Sequence, residues 1–101
     1  MIERVLEIKK ARGCAVLQLE SGVLRVPLSL LRERPVRAGE VLDTQAYRLF
    51  IAQRGYTHAL DHAVRLLSLC DRSENEVRRR LLDMGYPAAC VDRVIEKLYE
   101  A

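Results

Sequence analysis

Arg72-Ser73-Glu74-Asn75-Glu76-Val77, followed by Leu81, Gly85-Tyr86-Pro87 and the spaced set Val91, Val94, Ile95 and Leu98, decides what kind of fold this chain can adopt. Ser73 and Glu76 stand three apart, the S-x-x-E capping box in which each side chain satisfies a backbone N–H at the start of a helix. Val77, Leu81 and Met84 then give that helix one apolar face, and Gly85 sits where a helix ends through a left-handed residue. Pro87 suits the first turn of a further helix, in which Val91, Val94, Ile95 and Leu98 recur at helical spacing. That helix is expected to run to the end of the chain.

Working back from Arg72, Thr57 is placed to cap a helix with Leu60, Ala63, Val64 and Leu67 on one face, ending before Asp71. Asp43 or Thr44 caps an earlier one that carries Ala46, Leu49 and Phe50 and stops near Gly55. The links between the last three helices are only a few residues long, so these helices must pack as neighbours.

Before Asp43 the apolar period falls from about 3.6 to two. Val5, Ile8, Val16, Leu17, Leu19, Val23, Leu24 and Val26 suit three short antiparallel strands at 2–9, 14–20 and 23–28, with a tight hairpin at Ser21-Gly22 and an earlier turn from Lys10 to Gly13. Pro27 is tolerable at a strand end or an edge. Ser29 is expected to cap a single helical turn through Leu30 to Arg34, which Pro35 stops. The fold class is therefore α+β and mostly α: a β-hairpin subdomain over 1–42 and a helical subdomain over 43–101, packed together because no polar linker divides them.

A chain of 101 residues has room for one small domain, and with half its residues apolar it is neither disordered nor of low complexity. No apolar run approaches the ~20 residues that cross a bilayer, and the start lacks the order of a secretory signal, so a soluble cytoplasmic protein is expected. The net charge of +3 belongs wholly to the first half and is carried mainly by arginine. That permits an anionic partner without demanding one. Cys14, Cys70 and Cys90 are widely spaced in apolar stretches and read as reduced, small hydrophobes.

Candidate chemistry is sparse. There is no Gly-rich phosphate loop, nucleophile elbow or pair of catalytic carboxylates, so neither an enzyme nor a cofactor is expected. His58 and His62 have the spacing of two metal ligands, but Asp61 between them does not make an H-E-x-x-H motif and no third ligand is evident, so no metal site is assigned. What remains is basic. Arg78, Arg79 and Arg80 spread through about 200° of one helix, so at most two address one surface. They serve an anionic partner or simply a solvated face with Glu74 and Glu76 as i, i+4 partners. Arg72, at a helix start where the dipole disfavours a cation, points to solvent or to a partner. Lys9, Lys10 and Arg12 cluster at a predicted turn, suited equally to phosphate contact and to solubility. Tyr47, Phe50, Tyr56, Tyr86 and Tyr99 are dispersed rather than interleaved with these cations, unlike a single-strand stacking platform.

Taken in order, Ala59, Ala63, Leu66-Leu67-Ser68, Arg72 to Val77, Leu81, Gly85-Tyr86 and Val91 to Leu98 resemble the three-helix repeat of the RecX regulatory proteins. The first half, with Val36-Arg37-Ala38-Gly39-Glu40-Val41-Leu42-Asp43 leading into the helices, looks like that family's amino-terminal segment. The resemblance implies one three-helix repeat over 57–101, where RecX proteins typically carry three. It also implies a non-catalytic modulator that binds a RecA recombinase filament, with single-stranded DNA inside it, and restrains recombination and the SOS response. The resemblance identifies no contact residues; the candidates for partner or nucleic-acid binding, taken from their charge and placement, are Arg72, Arg78, Arg79, Arg80, Lys9, Lys10 and Arg12. A lone repeat leaves one end uncovered, near Leu98 and Tyr99, which invites weak self-association. The competing reading is a helix-turn-helix transcription regulator, with the helix that begins at Ser73 in the major groove.

Overall fold

The computed structural model describes residues 1–99, and the expected continuation of the last helix through Glu100 and Ala101 lies outside the described residues. β1 (Ile2–Ala11), β2 (Cys14–Leu19) and β3 (Gly22–Pro27) are joined by tight turns, followed by α1 (Leu28–Glu33), β4 (Val41–Asp43), α2 (Thr44–Leu69), α3 (Glu74–Asp83) and α4 (Ala88–Tyr99). The sheet is antiparallel throughout, in the order β3-β2-β1-β4. It has four strands where the sequence suggested three. β4 is only three residues long, too short for an alternating pattern to register, and it pairs with Ile2–Arg4.

Alternation works as expected across the sheet: Val5, Leu17, Leu19, Leu24 and Val26 point inward, and the buried carboxylate of Glu3 accepts the Ser21 N–H at 2.8 Å. α1 begins directly after Pro27 with no side-chain cap. The Ser29 hydroxyl, expected to cap it, instead lies 3.0 Å from the Tyr86 hydroxyl.

The largest departure is in the helices. Residues 44–69 form one continuous helix of 26 residues, not two helices broken at Gly55. Asp43 caps it, accepting the Ala46 N–H at 3.1 Å. Gly55 is buried in its middle, where a Cβ would come within 2.9 Å of Cys90 Sγ and 3.6 Å of Pro87 Cδ. The glycine costs this helix about 1 kcal/mol of propensity relative to alanine, and in return α4 can lie directly on its backbone. Gly55, Ala59 and Ala63 form a buried small-residue stripe at intervals of four, and Cys90, Val91, Val94 and Ile95 fill the facing side of α4.

The upstream half of α2 serves the sheet instead. Tyr47, Phe50 and Ile51 are buried there, the Tyr47 hydroxyl donates to the Arg34 carbonyl at 3.0 Å, and burial pushes the Tyr47 phenol up to about 12. One apolar core therefore runs from Val5 and Leu17 to Val94 and Ile95, with α2 spanning both ends. At about 1.5 Å per residue its 26 residues extend ~39 Å, close to the 43 Å long axis of the molecule.

Candidate functional site: an arginine surface on the third helix

α3 starts as its sequence requires. Ser73 Oγ accepts the Glu76 N–H at 3.2 Å while Glu76 Oε1 accepts the Ser73 N–H at 3.1 Å, and these bonds hold the Glu76 carboxyl below its ordinary value. The helix ends in Gly85, at φ +92°, with its Cα side against Cys14 and Pro27 of the sheet. A side chain there would strain the backbone and press on that junction. Tyr86 follows, 2% exposed, its ring 5.9 Å from that of His62. Burial lowers the His62 pKa. Arg25 Nη2, from β3, donates to the Asp83 carbonyl and ties the end of α3 to the sheet. The Gly-Tyr pair is thus the joint between sheet and helices, and the rotation of α3 about its axis is fixed at both ends.

That rotation sorts the basic residues. Arg78 faces α4, where its guanidinium bonds and pairs with Asp92. Arg79 and Arg80 stay exposed and, with Arg72, Glu76 and Asp83, line a shallow depression of about 210 Å³. Arg80 and Asp83 also line a second one, of about 160 Å³, with Arg12 and Gly13 of the β1–β2 turn. Arg12, Arg72, Arg79 and Arg80 therefore form one surface crossing from the turn to α3. Two carboxylates lie within it, and one of them, Glu76, is committed to its cap. Arg72 is half-buried, and its Nε is enclosed with no hydrogen-bond partner; the Tyr99 hydroxyl donates to its carbonyl at 3.1 Å.

The remaining candidates are elsewhere. Lys10 lines a different groove, beside α1, and Lys9 is exposed on β1. The structure thus gathers four of the seven basic residues and parts the other three from them. Arg78 and Glu76, offered Glu74 at i−4 and Arg80 at i+4 as partners along α3, are engaged instead with Asp92 and with the Ser73 cap. Arg25 and Asp83 had no local signature: their roles depend on a contact between positions 58 residues apart.

Other side chains singled out by the sequence have structural work. His58 Nε2 lies 2.8 Å from Glu33 Oε2 and Arg54 Nε 2.8 Å from Glu33 Oε1, a clamp between α1 and α2 that keeps the Glu33 carboxyl below its ordinary value. Arg93 stacks over the Tyr56 ring at 4.0 Å. Cys14 and Cys90 are buried as expected, but Cys70 is exposed, because it lies past the end of α2 where nothing packs over it. Leu98 and Tyr99, expected at an uncovered end, pack in part against the core, whereas Val64 and Leu69 on α2 are exposed. Among the described residues no helix is long and apolar enough to cross a membrane, and no group of three His, Cys, Asp or Glu could hold a metal ion.

Comparison with known proteins converges on this part of the molecule. Residues 59–98 match the family model described as RecX, first three-helix domain. No curated protein matches the chain. Its fold is similar to that in a crystal structure of regulatory protein RecX, with a TM-score of 0.52 and 20% identity, over 95% of this chain and 49% of the other. The chain thus spans about half the length of that protein. The family match begins at Ala59, inside α2, so the repeat's first helix is the downstream half of a longer helix whose upstream half carries the sheet. The resemblance expected from the sequence is shown: residues 59–98 match the first three-helix domain of RecX, within a fold similar to that of a regulatory protein RecX.

Proposed function

We propose that this chain is a non-catalytic regulator that binds RecA recombinase filaments and restrains recombination and SOS activity in the cytoplasm, needing no cofactor. The observation that carries this reading is the coincidence of the RecX domain match at 59–98 with the arginine surface on its α3. Arg72, Arg79, Arg80 and Arg12 supply planar donors suited to carboxylates of a protein partner or to phosphates of the single strand inside the filament. Arg78 supports the surface from behind by holding α3 to α4. In this division of labour residues 1–42 brace the helical part, 43–101, and add Arg12 to the contact that the repeat over 57–101 makes; the exposed Val64 and Leu69 of α2 support weak self-association.

Titrating the chain into RecA-catalysed, single-strand-dependent ATP hydrolysis tests the proposal. Inhibition that saturates with chain concentration is the expected result. Unchanged hydrolysis together with salt-sensitive, sequence-specific duplex binding would assign the chain to helix-turn-helix transcription regulators instead.

A further inference from the structure

β1 is paired on both sides over only part of its length. Its outer side meets β4 at Ile2–Arg4, and Val5 exchanges main-chain bonds with Gly39 and Glu40. A bulge follows between Val5 and Glu7, and from there to Ala11 the strand pairs with β2 alone among the described residues. The alternation of an antiparallel ladder leaves every second N–H and C=O of residues 7–11 pointing away from β2 with no strand to receive them.

Beside this free edge lies an open groove of about 790 Å³. Its floor is apolar, formed by Ile8, Leu31 and Pro35 among others. Its ionisable residues are all cations, Lys10 from β1, Arg32 from α1 and Arg37 from the loop that leads to β4. Lys9 is exposed on the same strand. Lysines on an edge strand ordinarily protect it from unwanted pairing, and that explains Lys9 and Lys10. It does not explain an apolar groove alongside, nor Arg32 and Arg37 on the groove's other wall.

We infer that the outer edge of β1 over residues 7–11 and the groove beside it form a docking site for an extended acidic segment of a partner protein that carries both apolar and acidic side chains on its groove-facing side. Such a segment adds a fifth strand: its backbone takes up the free N–H and C=O groups, and on its groove-facing side apolar side chains rest on Ile8, Leu31 and Pro35 while carboxylates meet Lys10, Arg32 and Arg37. The complement of charge selects an acidic segment over a second copy of this chain, whose own β1 edge is basic. The site shares no lining residue with the arginine surface and does not depend on the proposed RecA contact.

The test uses the whole chain and a fluorescein-labelled peptide of about nine residues in which Val-Val and Glu-Glu pairs alternate, so that each face of the strand carries both, followed by anisotropy. Three comparisons accompany it: the same peptide N-methylated at alternate backbone amides, its Lys-for-Glu counterpart, and the Lys10→Glu/Arg37→Glu chain, whose fold is checked by circular dichroism. Expected is binding that N-methylation and the charge reversal each weaken by roughly tenfold or more, with amide chemical-shift changes confined to residues 6–11 and 28–38. Equal binding of the N-methylated or the Lys peptide overturns the inference. So does displacement of the peptide by an oligothymidylate, which would make the groove a nucleic-acid site, or sedimentation as a dimer abolished by the charge reversal, which would give it to a second copy.

Discussion

Arg78 on α3 is bound to Asp92 on α4, so the run of three arginines is divided between holding the helix pair together and facing outward. Both side chains remain part-exposed, which limits the strength of the pair to about 1 kcal/mol or less. A double-mutant cycle of Arg78→Ala and Asp92→Ala, followed by urea unfolding, is expected to give a coupling of ~0.5 kcal/mol that shrinks in high salt. A coupling near zero at low salt would dissolve the division of roles.

Gly55→Ala is expected to destabilise the protein although it improves helix propensity. The added methyl meets Cys90 Sγ at 2.9 Å, and overpacking of this kind costs about 1–3 kcal/mol against ~1 kcal/mol gained in propensity. Cys90→Ala in the same chain removes the clashing sulfur, so the double variant should recover part of the loss. If thermal unfolding shows Gly55→Ala to be stabilised on its own, the close approach of α2 and α4 is not as described.

Ser73→Ala removes the cap of α3 and is expected to cost about 1 kcal/mol, with the domain still folded. Acid acts on the same bonds. Glu76 and Glu33 have carboxyl pKa values below the ordinary 4.5, held down by hydrogen bonds to Ser73 and to Arg54. The stability they contribute is present above pH 4.5 and is lost as pH falls through their lowered folded values. His62 adds an earlier step. Its folded pKa lies below 6.5 because it is buried, so the unfolded chain takes up the proton first and stability begins to fall as pH drops below 6.5. Melting temperatures between pH 8 and 3 should therefore decline in two stages, and His62→Gln should remove the first.

Cys70 is exposed while Cys14 and Cys90 are buried. Ellman's reagent should titrate one thiol rapidly in the native protein and three in denaturant, and Cys70→Ser should abolish the rapid phase. Burial also pushes the Cys90 thiol pKa up, which slows its reaction further. A second rapid thiol that Cys90→Ala removes would place Cys90 outside the α2–α4 interface.

The parts of the fold that were legible in the sequence rest on neighbours in the chain. Ser73 and Glu76 announce their cap because both partners lie within one helical turn, and Gly85 ends α3 as its position implies. Gly55 was read as a stop because its local tendency is to break a helix, whereas tertiary approach of α4 decides its use. β4 escaped notice because three residues carry no period, and the exposure of Cys70 could not be read from its apolar stretch, since it depends on nothing packing over the end of α2. The site divides the same way. The basic residues of α3 could be named from sequence, but which of them face together could not, since that depends on Asp92, Arg12 and Arg25 arriving from other elements.

The most direct measurement compares two variants in RecA-catalysed, single-strand-dependent ATP hydrolysis: Arg72→Ala/Arg79→Ala/Arg80→Ala, which strips the surface, and Arg78→Ala/Asp92→Ala, which removes the pair behind it. With both shown to be folded, inhibition should weaken by roughly tenfold or more in the first, for the loss of one or two well-placed charged contacts, and stay within about twofold of the parent in the second. Equal inhibition by the parent and the first variant would contradict the claim that the arginine surface of α3 engages the filament.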